Sequence, residues 1–205
     1  MKYIVNEVRT KHGLGEWANG ARLAMPSFYF WISGSELQKS ERGLLQQLLS
    51  EILKAFPDWI PKLCPERWNQ SEIDRQMEWS LPELRQVFGR LNSASADPAS
   101  LEISKICFFI DGLDEYEGDH FELIQTIRSI ANAPHMKICV SSRPWNHFKD
   151  AFGENPDKRL YLQDFTRQDM ITYAQENLQQ AARGITSGLN SASFRRLIED
   201  IADKS

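Results

Sequence analysis

Eight residues, Phe108-Phe109-Ile110-Asp111-Gly112-Leu113-Asp114-Glu115, constrain this chain more than any other feature. The run Ile106–Ile110 contains no polar side chain, so it predicts a strand buried in the middle of a sheet. Asp111 ends it. A second apolar strand, Lys137-Ile138-Cys139-Val140, ends at Ser141-Ser142-Arg143-Pro144, thirty residues after Asp111. Between them Asp119-His120-Phe121-Glu122 reads as a capping box, opening a helix through Leu123, Ile127 and Ile130. That spacing is one βαβ unit. In open α/β sheets the ligand crevice lies beyond the carboxyl ends of the strands. The acids of the first strand and the Arg of the second therefore belong to one place.

The rest of the chain fits the same class. Ile4, Val5 and Val8 predict a short helix over residues 1–11, broken by Gly13-Leu14-Gly15. Residues 27–32 are aromatic and predict a buried strand. Ser40 caps a helix with Leu44, Leu45, Leu48, Leu49, Ile52 and Leu53 at helical spacing. The Trp- and Pro-rich stretch 57–79 predicts a packed connector, with the tryptophans as core anchors. Ser80-Leu81-Pro82-Glu83 opens a helix to about Leu91, and residues 92–100 read as a loose loop. Leu160-Tyr161-Leu162 predicts a third strand of the second half. Thr166 caps a helix over 167–181, and another spans 193–203. Strands alternating with helices predict an α/β fold with a mainly parallel sheet.

Composition narrows the function. The net charge of the 205 residues is −4, and no basic run exceeds a pair, which excludes nucleic acid as the main partner. No stretch approaches the length of a membrane span. The three cysteines include no C-x-x-C, and Cys107 and Cys139 read as buried free thiols of a reducing, cytoplasmic compartment. The four histidines show no metal-ligand spacing and read as surface or capping residues; no G-x-S-x-G nucleophile elbow occurs.

At the end of the first strand Asp111 is placed to hold Mg²⁺ beside nucleotide phosphates. Asp114 or Glu115 is placed to orient or deprotonate a water. Ser142 and Arg143 face the same crevice, and Arg143 offers a permanently charged fork to a γ-phosphate. A P-loop is absent. Gly34-Ser35-Glu36-Leu37-Gln38-Lys39-Ser40 is the nearest decoy, but it lacks the Gly before Lys and sets Glu36 where phosphates would lie.

The pair Phe-Ile-Asp-Gly-Leu-Asp-Glu and Cys-Val-Ser-Ser-Arg-Pro-Trp resembles the NACHT domain of signal-transduction ATPases. The likeness is strongest to its fungal branch, the nephrocystin-3-like N-terminal domain of heterokaryon-incompatibility and NOD-like receptor proteins. Phe28-Tyr29-Phe30-Trp31, Gln38-Lys39-Ser40, Gly43-Leu44-Leu45 and Leu162-Gln163-Asp164-Phe165-Thr166 are similar too. The resemblance implies a P-loop NTPase-like sheet that uses ATP or GTP with Mg²⁺. It implies Asp111 as the metal residue, Asp114 and Glu115 as the acids credited with hydrolysis, and Arg143 as sensor. It implies a nucleotide-binding domain over 1–165 and, over 166–205, the start of the helical segment before a winged helix. The family's P-loop helix matches Met1-Lys2-Tyr3-Ile4. The chain therefore reads as a fragment whose P-loop strand, expected between the strands ending at Asp111 and Ser141, is missing and leaves open edges. Two functions follow. One is part of a nucleotide-driven signalling switch, binding nucleotide weakly or not at all alone, with homologous NACHT domains or fused effector and repeat domains as partners. The other is a non-catalytic module pairing with intact relatives.

Overall fold

The computed structural model describes residues 1–71, 77–95, 104–130 and 132–162. The chain divides into two compact units, Met1–Ala151 and Phe152–Ser205. The expected helices beyond Thr166 lie outside the described residues.

The first unit carries the sheet. Strands β1 (Arg22–Ala24), β2 (Ser27–Tyr29), β3 (Ser104–Asp111) and β4 (Met136–Val140) are all parallel. Arg22 pairs with Ser104 and Ser27 with Phe109, the same offset of 82 residues. β1 and β2 are therefore one strand line, interrupted at Met25-Pro26. Pro26 has no N–H to give the ladder, but its carbonyl accepts the Phe109 N–H at 2.9 Å. The expected strand over 27–32 is thus shorter at its end and extended upstream by β1.

β3 is central. Its odd-numbered residues bond the β1–β2 line, as in Phe30 N–H to Asp111 O at 3.0 Å. Its even-numbered residues bond β4, as in Ser141 N–H to Ile110 O at 3.0 Å. β3 and β4 stay in register from Ile106↔Met136 to Ile110↔Val140. This corrects the expected gap between them. Both sets of β3 backbone groups are already used, so no strand fits between β3 and β4; the β1–β2 line and β4 are the two edges, each paired with β3 alone among the described residues.

Helices surround the sheet. α1 (Lys2–Asn6) and α2 (Val8–Ala18) are separated at Glu7, whose ψ of 134° is extended. The helix expected to break at Gly13-Leu14-Gly15 instead runs through it. Glycine inside a helix costs only about 1 kcal/mol, and the real stop is Asn19, left-handed at φ 51°. Trp17 of α2 packs beneath Lys105 of β3 and Lys137 of β4, whose ammonium groups lie 4.8 and 4.9 Å from its ring.

α3 (Glu41–Ala55) follows a 3-10 turn at Glu36–Lys39. Ser40 caps it as expected, its hydroxyl accepting the Gly43 N–H at 3.2 Å. Leu44, Leu45, Leu48, Leu49 and Ile52 are buried, with Leu53 only partly so. Short helical turns α4 (Ile60–Leu63) and α5 (Pro65–Trp68) form the connector. Arg67 knits it together, donating to Glu83 at 2.6 and 2.9 Å and to the carbonyls of Met77 and Glu78. Of the tryptophans Trp59 is in the core, Trp17 and Trp79 are half-buried, and Trp31, Trp68 and Trp145 are exposed, so the anchor role holds for only some of them.

α6 (Leu81–Ser95) opens on the Ser80/Glu83 capping box and reaches four residues past the expected end at Leu91. α7 (His120–Ile130) links β3 to β4, with Asp119 Oδ1 accepting from the N–H groups of Phe121 and Glu122. α8 (Asn146–Phe152) follows β4. Ile106, Phe108 and Ile110 are fully enclosed with leucines of α3, α6 and α7. Leu160-Tyr161-Leu162 forms no strand; Leu160 and Leu162 are exposed, and the Arg159 guanidinium lies 5.1 Å from the Tyr161 ring. Cys107 is buried and Cys139 partly so, both as free thiols.

Candidate functional site

The turn after β3 begins at Gly112, left-handed at φ 72°. A side chain there would be strained by that backbone conformation, although its Cβ would meet the Phe30 carbonyl only in ordinary contact at 3.4 Å. The reversal starts the 3-10 turn Leu113–Glu115 and turns its acids back over the sheet.

Ser141, the residue after β4, stitches the two strand ends together. Its N–H donates to Ile110 O, and its carbonyl accepts the Leu113 N–H at 3.0 Å. Its hydroxyl donates to Asp111 Oδ1 and accepts the Gly112 N–H at 3.3 Å. One oxygen of Asp111 is thus fixed by protein. The other, Oδ2, lies 3.7 Å from the Met1 α-amino group, and the side chain is 35% exposed. A partly exposed carboxylate with one oxygen held by protein keeps the other as the kind of donor that Mg²⁺ takes, one or two carboxylates with water and phosphate completing the shell. Among the described residues no three His, Cys, Asp or Glu gather as an all-protein metal cage.

Asp114 and Arg143 meet. Asp114 Oδ1 accepts the Arg143 N–H at 2.9 Å, and Arg143 Nε lies 3.2 Å from Oδ2. Ser142 turns its hydroxyl to the Arg143 carbonyl at 2.8 Å rather than to Asp111. Glu115 Oε2 accepts the Ile32 N–H at 3.0 Å, tying the acidic turn to the segment after β2. Nearby, Lys39 spans Glu117 at 2.9 Å and Glu36 at 3.3 Å, and these carboxylates hold its ammonium above the ordinary lysine pKa, Glu117 contributing most. The decoy Gly34–Ser40 is accordingly a self-capped turn whose one cation is committed to two acids.

Behind Arg143 stands an aromatic cluster. His120 and His147 stack at 4.9 Å, and Trp145 meets His120 at 5.4 Å. Burial, then His147, lowers the His120 pKa. Two of the four histidines, expected at the surface or in caps, are half-buried and packed together at the site's flank, His120 at the first position of α7. A separate cavity of about 360 Å³ lies on α3, lined by Leu49, Leu53, Ile60 and Trp79, away from these groups.

The structure brings Asp111, Asp114, Glu115 and Arg143 to one edge of the sheet and leaves Ser142 in the same loop as a backbone brace. Sequence reasoning named the Ser141-Ser142 pair but favoured Ser142. Ser141 is the residue that touches Asp111, and its place directly opposite Asp111 in the strand register was the signal.

These features define a parallel α/β domain with an acidic strand end facing a basic loop. No helix among the described residues is long and apolar enough to cross a membrane. Residues 1–143 match the family model described as nephrocystin 3, N-terminal, which covers β1 to β4 and ends at Arg143. The chain belongs to this family. No curated protein and no solved structure matches it.

Proposed function

We propose that this chain is the acidic-strand part of a NACHT-type nucleoside-triphosphate switch, of the kind found in fungal NOD-like receptor and heterokaryon-incompatibility proteins. The observation that carries the reading is the placement of a partly exposed Asp111 at the end of β3 together with the Asp114–Arg143 ion pair that joins its turn to the loop after the adjacent parallel strand β4. Asp111 Oδ2 would hold Mg²⁺, and Arg143 would meet a terminal phosphate of ATP or GTP. Bound Mg²⁺ supplies charge neutralisation at the phosphates. Glu115 is the acid available to a water, whereas Asp114, 8% exposed, is turned to Arg143. The partners are homologous NACHT domains or fused effector and repeat domains, in the cytoplasm.

A second reading is a non-catalytic module that pairs with intact relatives. It is favoured by the sequence, which contains no G-x-x-x-x-G-K-[ST]. Calorimetry of the full chain with Mg-ATP and Mg-GTP separates the two. The switch reading expects weak binding, with Kd of about 0.1–1 mM, lost in Asp111→Ala. Absence of heat with either nucleotide, together with co-purification of an intact NACHT relative, would transfer the conclusion to the second reading.

A further inference from the structure

We propose that Asp114 is a positioning residue for Arg143 and not a proton acceptor. A proton acceptor must present a lone pair to water. Asp114 turns inward: its side chain is 8% exposed, Oδ1 takes the Arg143 N–H, and Oδ2 takes the Nε side of the guanidinium. The backbone of residue 143 is held at both ends, since its carbonyl accepts from Ser142 Oγ and from the Trp145 N–H, each at 2.8 Å. Trp145 is in turn seated against His120 and Phe148.

The backbone of residue 143 is thus held, and its side chain meets Asp114 through Nε. That side chain is 76% exposed, and Nη1 and Nη2 have no partner among the described residues. A guanidinium anchored through Nε and open at its two Nη groups is a preorganised fork for a phosphate or carboxylate. Glu115 differs from Asp114. Its Oε2 is used by Ile32, while Oε1 has no hydrogen-bond partner among the described residues. The adjacent acids thus divide the labour: Asp114 aims the arginine, and Glu115 keeps an oxygen for water.

The nucleotide half of this inference rests on the reading above; the ligand-free half does not. The ligand-free test is the Nε–H resonance of Arg143, assigned in the full chain by Arg143→Lys. It is expected away from the free-arginine position and slow to exchange. In Asp114→Asn, which keeps an acceptor for the Arg143 N–H but removes the charge, it moves to the free-arginine position. An unchanged resonance overturns the proposal. The ligand test is a cycle of Mg-ATP affinities for Asp114→Ala, Arg143→Ala and the double variant. Each single change is expected to weaken binding about tenfold, the double no more than about twofold beyond Arg143→Ala. Losses that multiply in the double variant overturn it. If the unaltered chain binds no Mg-ATP, the nucleotide reading fails and the resonance alone decides the positioning role.

Discussion

Glu41 is a buried carboxylate at the first turn of α3, and it makes a prediction with an unusual sign. Its side chain is 5% exposed, whereas that of Arg85, its partner on α6, is 49% exposed. Arg85 donates to both oxygens, at 2.8 and 2.7 Å, and Thr126 of α7 adds a hydroxyl at 2.9 Å. Three helices meet on one acid. Removing one partner of a buried pair costs about 3–5 kcal/mol, because a charge is left without compensation. Arg85→Ala leaves Glu41 in that state, but the vacated half-exposed space admits water, so about 3 kcal/mol is expected. For a chain of this size that is about 6–12 °C in Tm. Glu41→Gln in the parent protein is also destabilising, by about 1–2 kcal/mol, since it removes the charge-assisted bonds and leaves Arg85 free to turn to water. In the Arg85→Ala background the same change has the opposite effect. It replaces an unpaired buried charge with a neutral amide and restores about 1 kcal/mol, the gain being trimmed by the carboxylate's favourable place at a helix N-terminus. Urea unfolding of the four proteins at pH 7 measures the cycle. Should Glu41→Gln destabilise both backgrounds equally, Glu41 is not buried and paired as described, and the reasoning fails.

Gly43 and His120 carry two further outcomes. Gly43→Ala is expected to lose several kcal/mol of stability and much of its Tm, because the added Cβ would stand 1.7 Å from the Leu37 carbonyl, a backbone atom with no rotamer to escape into; a Tm within 2 °C of the parent would refute the close approach. The His120 pKa lies below the ordinary 6.5, through burial first and His147 second, against the opposing pull of Asp119 and Asp114. Its contribution to stability is therefore complete above the unfolded pKa and is lost as pH falls through the folded one. Unfolding curves between pH 7 and 5 should steepen their fall in the parent and flatten in His120→Phe.

The helix–strand alternation was legible because its signals are local. Ser40 caps α3 and Ser80 with Glu83 caps α6, and the apolar run before Asp111 admits one conformation in a sheet covered by helices. Errors fell where the deciding interaction is distant. Gly13-Leu14-Gly15 looks like a breaker, yet Trp17, held between Lys105 and Lys137, fixes α2 against the sheet and outweighs two weak glycines. Leu160-Tyr161-Leu162 has strand composition, yet Leu160 and Leu162 stay exposed and the segment joins no strand ladder. Arg22–Ala24 lacks strand composition and becomes one because β3 offers free odd-numbered groups.

Strand order is the instructive case. A βαβ unit states that two strands are parallel, not that they are adjacent, so the sequence was compatible with a strand between β3 and β4. Alternation of backbone groups along β3 removes that freedom. Odd residues are spent on the β1–β2 line and even residues on β4. Adjacency then has a chemical consequence. It puts Ser141 directly beside Asp111, close enough for its hydroxyl to hold one carboxylate oxygen, and sets Arg143 two residues further on, within reach of Asp114. With a strand intervening, a sheet spacing of about 4.8 Å per position would have doubled the separation and broken both contacts. The geometry of the candidate site is therefore a product of strand order, and Ser141→Ala probes that order more directly than any change in the acids themselves.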